Sequence, residues 1–147
     1  MYRHILISTD GSEMARRGVE HGLALAKAVG AKFTIVTVTE IMLPHFPRGA
    51  EASALAHYKE FAEIQKDAAE RLLAGAEEEA RRIGVEADSV CVELGSPAEA
   101  IVETAKERNC DLITMSSHGR RGLSRLMLGS VASEVLALSP TPVLVVR

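Results

Sequence analysis

The feature that most constrains the fold of this chain is a fivefold alternation between short, continuous apolar runs and longer segments of helical period. Continuous aliphatic and β-branched runs bounded by turn residues are typical of strands buried on both faces. Strands that alternate with helices pair in parallel through right-handed crossovers. The sequence therefore predicts one α/β domain over residues 1–147, a doubly wound parallel sheet with helices on both faces. The predicted strands are residues 4–9, 33–38, 89–93, 112–115 and 143–146.

Helix start and stop signals separate these runs. Ser12 and Ser96 are N-cap candidates, Pro97 suits a first helical position, and Gly30 suits a helix end. Helices are predicted over residues 13–29, 51–83, 97–108 and about 129–138, whereas two prolines predict irregular structure at residues 41–49. The side chains predicted to face the core are Met14, Gly18, Gly22, Leu25 and Val29; Phe61, Ala68, Leu72, Ala76 and Ile83; Ile101, Val102 and Ala105; and Val131, Val135 and Leu138.

Composition excludes several classes of protein. The formal charge of −3 is too small to attract nucleic acid or an anionic membrane, and no apolar run approaches the ~20 residues that span a bilayer. The first residues lack a signal-peptide pattern, and Cys91 and Cys110 have no paired spacing. We expect a cytoplasmic protein with two reduced thiols. The five histidines lack metal-ligand spacing, so no metal site is expected.

Three turn clusters follow predicted strands, at the end of an α/β sheet where ligands bind. They are residues 9–12, residues 95–97 and residues 116–130. In the third cluster, Gly119 and Gly129 flank nine residues and Ser130 follows at a helix start. Glycine permits close approach of a phosphate, and a helix N-terminus offers free N–H groups. Arg120, Arg121 and Arg125 lie in the intervening loop and suit a polyphosphate.

Less specific explanations stay open for each of these residues. The glycines suit ordinary turns, Ser130 suits a plain N-cap, and the arginines suit a solvated loop. Asp10 has two interpretations: it caps a turn, which its chemistry alone favours, or it points into the crevice and accepts hydrogen bonds from a ribose or base. The sequence contains no Walker, standard Rossmann or nucleophile-elbow motif.

These motifs together resemble the universal stress protein family, and the resemblance covers the whole chain. It is carried by residues 4–12, 95–97, 111–115, 117–124, 128–132 and 142–146. The family fold implies the strand order 3-2-1-4-5, with Asp10 and the Gly119 loop at one crevice between the first and fourth strands. The same order separates Cys91 from Cys110, so no disulfide is expected between them.

The resemblance includes one departure. Members of the nucleotide-binding branch carry Gly, two residues, Gly, nine residues, Gly, then Ser or Thr. Gly119, Gly129 and Ser130 match the last three positions, but Ser116 stands at the first. Its side chain adds bulk where the family backbone is bare, and other members do not bind ATP. A Cβ at Gly129 is expected to block phosphate approach, so Gly129→Val should abolish binding without unfolding the protein.

The resemblance implies a homodimer, joined through the final strand Val143–Val146, and a site for ATP, ADP or AMP, with Mg²⁺ as a companion ion. Asp10 and the backbone of Val38 would hold adenosine. The glycine loop, with Arg120 nearby, would hold ribose and phosphates. The full set of expected site residues is Thr9, Asp10, Val38, Gly95, Met115, Ser116, His118, Gly119, Arg120, Gly129, Ser130 and Val131.

The sequence leaves three functions open. The first is a dimeric stress-response or regulatory protein that binds adenine nucleotides. The second is a dimeric protein-interaction module with an empty crevice, which Ser116 leaves open. The third is a slow ATPase, the weakest candidate because the sequence offers no recognisable general base or metal set.

Overall fold

A five-stranded parallel sheet of order β3-β2-β1-β4-β5 forms the centre of the computed structural model. The model describes residues 1–39, 51–93, 95–119 and 127–147. This order confirms the predicted fold class and puts the topological switch point between β1 and β4. The strands are β1 (His4–Ser8), β2 (Lys32–Thr39), β3 (Ala87–Glu93), β4 (Leu112–Ser116) and β5 (Val143–Val146), and the helices are α1 (Glu13–Val29), α2 (Glu51–Arg82), α3 (Pro97–Glu107) and α4 (Ser130–Leu138).

The sheet separates two cores because successive side chains of a strand point to opposite faces. On β1, Ile5 and Ile7 pack with α1 and α2, whereas Leu6 packs with α3 and α4. All three side chains are fully buried. The continuous apolar run of β1 thus serves both cores, as predicted for a strand covered on both faces.

The helices begin and end largely where the sequence signals predict. The Ser12 side chain caps α1 by accepting from the N–H of Ala15, and Gly30 ends it in the left-handed region at φ 69°. Ser96 occupies the N-cap position of α3 without a side-chain cap hydrogen bond, and Pro97 is its first residue. β3 begins at Ala87 rather than at residue 89, because its polar first residues already pair with β2.

The predicted buried face of α1 is partly wrong. Gly18 and Gly22 are buried as expected, but Met14 and Leu25 are only half-buried and Val29 is exposed. The buried stripe combines small residues with Val19 and Leu23, so Met14, Leu25 and Val29 lie at its edges or outside it. The buried residues of α1 are Ala15, Gly18, Val19, Gly22, Leu23 and Ala26.

The face of α2 is also displaced from the prediction. Its sheet-facing residues are Ala69, Leu73, Ala76 and Ala80, so only Ala76 was predicted correctly, while Phe61 and Ala68 are exposed and Leu72 and Ile83 are half-buried. The 32 residues of α2 correspond to about 48 Å, whereas the eight residues of β2 span about 26 Å. No residue from 53 to 68 is buried. The N-terminal half of α2 therefore overhangs the carboxyl edge of the sheet.

The other two helices follow the prediction more closely. Ile101 and Ala105 are buried in α3, with Val102 half-buried. In α4, Val135 is buried but Leu138 is 49% exposed, because it lies in the last turn beyond the sheet contact. In the described part of the chain, no helix has the length and apolarity needed to cross a membrane.

The amino ends of β1 and β4 are joined by Asp111. Its carboxylate accepts hydrogen bonds from the backbone N–H groups of Arg3 and His4, at 2.9–3.1 Å. Burial raises the pKa of Asp111, but these hydrogen bonds outweigh burial and the net pKa lies below its ordinary value. This clamp is at the opposite end of the sheet from the turn clusters.

Candidate functional site

A crevice of about 830 Å³ opens beyond the carboxyl ends of β1, β2 and β4. Its volume lies in the upper part of the range of small-molecule sites, roughly 300–1,000 Å³. One part is apolar and lies between β2, α2 and α3; the other consists of the turns that follow β1 and β4. The lining residues include Ala15, Val36, Thr37, Thr39, Gln65, Ala68, Ala69, Leu72, Pro97, Ile101, Met115, Ser117, Met127 and Leu128.

The turn after β1 is built by its own side chains. The Asp10 carboxylate accepts through Oδ1 from the N–H of Ser12 at 2.9 Å, and the Thr9 hydroxyl accepts from the N–H of Gly11 at 3.3 Å. Asp10 nevertheless lines the crevice, and among the described lining residues it is the only acidic or basic one apart from His118. Its two interpretations are therefore compatible: one carboxylate oxygen caps the turn while the residue faces the crevice.

The turns after β1 and β4 touch each other at Gly119. A Cβ added to Gly119 would overlap Oδ2 of Asp10. Because only the absence of a side chain permits this approach, the glycine has a packing role in addition to any ligand role. The prediction that Asp10 and the Gly119 loop share one crevice is confirmed.

Ser116 lies at the end of β4 with its side chain on the α1 side of the sheet. Its Cβ is 3.7 Å from the point where a Cβ on Gly18 of α1 would stand. The strand alternation agrees, since Leu112 packs in the core shared with α1 and α2. The Ser116 hydroxyl donates to the backbone carbonyl of His118 at 2.7 Å. The side chain that serine has and glycine lacks therefore stabilises the turn from the α1 face of the sheet, opposite to the Met115 side chain.

Gly129 is the N-cap residue of α4, and Ser130 is the first helical residue. The interpretation of Ser130 as a plain N-cap is therefore wrong. No side-chain hydrogen bond from the described residues caps this helix. The first N–H groups of α4, those of Ser130, Val131 and Ala132, have no acceptor within the helix, and these three residues line the crevice.

The turn after β4 also fixes Gly129. Its N–H donates to the carbonyl of Ser117 at 2.8 Å, and a Cβ at Gly129 would stand 3.1 Å from that same oxygen. A Cβ at Gly129 would therefore crowd the Ser117 carbonyl and the loop. The obstruction of a phosphate expected from the sequence stays a prediction.

Val38 presents backbone groups to the crevice because β2 extends beyond the carboxyl end of β1. The carbonyl of Val36 accepts from the N–H of Thr9 at 2.9 Å, so alternate residues of β2 face β1. Val38 is the next residue with this orientation, and β1 has already ended at Ser8. The β1-facing backbone groups of Val38 thus lie along the crevice wall.

The structure brings ten of the twelve expected site residues to this crevice: Thr9, Asp10, Val38, Met115, Ser116, His118, Gly119, Gly129, Ser130 and Val131. Gly95 is exposed and does not line it; Pro97, two residues later, does. Arg120, Arg121, Arg125 and residues 41–49 lie outside the described residues. Sequence reasoning missed the wall formed by α2, although the predicted helix of 33 residues was far longer than any predicted strand.

The two cysteines are both free and lie in different cores. Cys91 packs beside the core of α1 and α2, and Cys110 belongs to the core of α3 and α4. Burial raises the pKa of the Cys91 thiol, and it raises that of Cys110 to about 12. The expectation of no disulfide between them is confirmed.

Comparison with known proteins connects this geometry to a family. The sequence profile of the universal stress protein family matches residues 1–147. A universal stress protein of Methanocaldococcus jannaschii is 33% identical over 147 residues, which cover 100% of this chain and 83% of that protein.

Two solved structures resemble the fold over nearly its whole length. The structure of protein MJ0577 has a TM-score of 0.82 and 29% identity, covering 99% of this chain and 96% of that one. A universal stress protein solved in complex with cAMP has a TM-score of 0.67 and 26% identity, covering 99% and 97% respectively.

Proposed function

The chain belongs to the universal stress protein family, and on that premise we propose that it binds an adenine nucleotide in the crevice between β1 and β4. The observation that carries the proposal is the N-terminus of α4, whose first residues lack intrahelical acceptors for their N–H groups and line a crevice that also has apolar walls. Such an N-terminus suits a phosphate, and the apolar half suits a purine ring. The cAMP complex of a 26% identical relative supports the same ligand class.

The orientation of Ser116 supports binding despite the departure from the family pattern. Its side chain faces α1, and its hydroxyl is already paired with the carbonyl of His118. The Cβ therefore packs toward Gly18 of α1, although the residue itself lines the crevice. We expect Ser116→Gly to change nucleotide affinity by less than about threefold, because the substitution removes a brace on the α1 side of the sheet.

The ligand would bind with its two ends in different surroundings. Gly119, Gly129 and the first turn of α4 would hold phosphate and ribose, and the backbone of Val38 would contact the base. Asp10 suits the ribose hydroxyls, because its carboxylate faces the crevice while its Oδ1 remains on the turn. ATP as the preferred form, a companion Mg²⁺ and a contribution from Arg120 stay predictions.

Calorimetric titration of nucleotide-free protein with AMP, ADP and ATP, each with and without Mg²⁺, tests the proposal. We expect saturable binding of about one nucleotide per chain. Gly129→Val should weaken it at least tenfold, since crowding the Ser117 carbonyl displaces the loop beside the α4 N-terminus. Gly95→Val is the matched control: among the described residues no heavy atom lies within 4 Å of its added Cβ, and Gly95 does not line the crevice. The absence of binding at millimolar nucleotide in the wild type would refute the proposal.

We also propose that the chain acts as a homodimer in a regulatory or stress-response role. The half-buried edge strand β5 supports this, because an exposed apolar edge invites pairing. The carbonyl of Val146 accepts from Ser117 and that of Pro142 accepts from Ile113, so the backbone groups of Val145 face away from β4.

Val145→Pro tests the edge. The substitution removes the backbone N–H of residue 145, which points away from β4, and leaves the backbone hydrogen bonds to β4 in place. Edge strands tolerate proline at such a position. Light scattering should give a dimer mass for the wild type and a monomer mass for Val145→Pro. A monomeric wild type, or a variant that remains a dimer, would contradict assembly through β5.

A further inference from the structure

A single carboxamide lies on the wall that α2 contributes to the crevice. Gln65 is the only glutamine of the chain. Its side chain is half-buried and lines the same crevice as Val38. Its amide forms no hydrogen bond with any residue in the described ranges, so both its donor and its acceptor are available to a ligand.

The position of Gln65 on the crevice face follows from how α2 is anchored. One turn further along, Ala69 is buried and lines the inner end of the crevice. Lys66 forms an ion pair with Glu93 at 3.2 Å, which joins this turn of α2 to the end of β3. Ala68 and Leu72 continue the same wall. Gln65 therefore lies at the boundary between the packed part of α2, which begins at Ala69, and the overhanging part.

The chemistry of a carboxamide suits one purine better than the other. Its N–H₂ donates to N7 of adenine while its carbonyl accepts from the N6 amino group, the same pair that glutamine uses to recognise adenine edges. Guanine offers acceptors at both N7 and O6, so the carbonyl would oppose O6. The crevice that Gln65 lines is also lined by the apolar Val38 and Leu72, and apolar surroundings strengthen a made hydrogen bond and penalise an unmade one.

The geometry points to Gln65 as the residue that selects adenine over guanine in this crevice, an inference that rests on the proposed nucleotide function. The Val38 backbone would meet a different edge of the base, so the strand and the helix would read the ring together. The glycine loops, which are far from the ring in this arrangement, would not contribute to the choice of base.

Dissociation constants for AMP and GMP test the inference, because the two nucleotides share ribose and phosphate. The wild type should prefer AMP. Gln65→Leu keeps the helix propensity and apolar contact but removes the amide, and it should lower the AMP over GMP preference about tenfold. Asp67→Leu is the matched control, since Asp67 is exposed on the opposite side of α2, and it should leave the preference unchanged.

The outcomes separate the two proposals. A wild type that binds neither nucleotide refutes the proposed function. A wild type that binds both equally, or a folded Gln65→Leu that keeps the full preference for AMP, overturns the role of Gln65 and leaves nucleotide binding intact. If Gln65→Leu does not fold, Gln65→Ala takes its place: alanine removes the amide, keeps a high helix propensity and should lower the same preference.

Discussion

Gly22 is the position where the packing of α1 makes the sharpest stability prediction. A Cβ added there would stand 2.9 Å from Oγ1 of Thr114 and 3.1 Å from two ring atoms of Phe33. Both neighbours are at most 1% exposed. The Thr114 hydroxyl also donates to the carbonyl of Leu6, so it has no free direction in which to move.

The magnitude follows from two opposing effects. Overpacking a closed core costs about 1–3 kcal/mol, whereas replacing a helical glycine by alanine gains about 1 kcal/mol. Gly75 lies in α2, and among the described residues no heavy atom lies within 4 Å of an added Cβ. Gly75→Ala should therefore gain the helix propensity of alanine without a cost from overpacking. Gly22→Ala should therefore be less stable than Gly75→Ala by about 1–3 kcal/mol, or roughly 2–12 °C in Tm for a chain of this length.

Equilibrium urea unfolding at one fixed protein concentration measures this difference, with calorimetry for Tm. Concentration must be matched because a dimer would make Tm depend on it. Equal stability of the two alanine variants would mean that α1 shifts outward at no cost, and the argument for close helix–strand approach at Gly22 would be refuted.

Three further predictions concern acid stability, thiol reactivity and the β4 turn. The pKa of Asp111 is lowered in the fold, so the ionised carboxylate adds to the free energy of unfolding above its unfolded pKa, and this contribution is lost as pH falls through the folded pKa. The stability advantage of the wild type over Asp111→Asn should therefore shrink below about pH 4, which urea unfolding at several pH values will measure. A thiol reagent at pH 8 should modify Cys91 first and Cys110 only on unfolding, since burial raises the latter pKa to about 12; equal rates in native protein would contradict this. Gly119→Ala should weaken AMP binding in calorimetry by pushing the Asp10 carboxylate from its place, and unchanged affinity would show that this contact is dispensable.

The sheet was predictable because its signals are local. The aliphatic runs, the Ser12 cap and the Gly30 helix end each depend on a few neighbouring residues, and all were located correctly. Strand order came from the family resemblance, since spacing alone does not order parallel strands. Ten site residues followed from the same order, because the carboxyl ends of strands that flank a switch point share one crevice.

The helix faces were harder to predict because they depend on close packing rather than on hydrophobicity. On α1 and α2 the buried face combines alanine and glycine with Val19, Leu23 and Leu73, whereas Val29 and Phe61 are exposed. The N-terminal half of α2 has helical period without a sheet beneath it. No periodicity distinguishes these two situations, and Gln65 was missed for that reason.

Because α2 overhangs the sheet, the crevice has two walls that restrict amino-acid substitutions differently. An added carbon would meet the Asp10 carboxylate at Gly119 and the Ser117 carbonyl at Gly129, so both turns are confined. The α2 wall is formed by side chains of one helix, of which Ala69 is buried while Gln65, Ala68 and Leu72 are half-buried or exposed. We therefore expect substitutions at these three positions to change the chemistry of the crevice without disturbing the glycine turns.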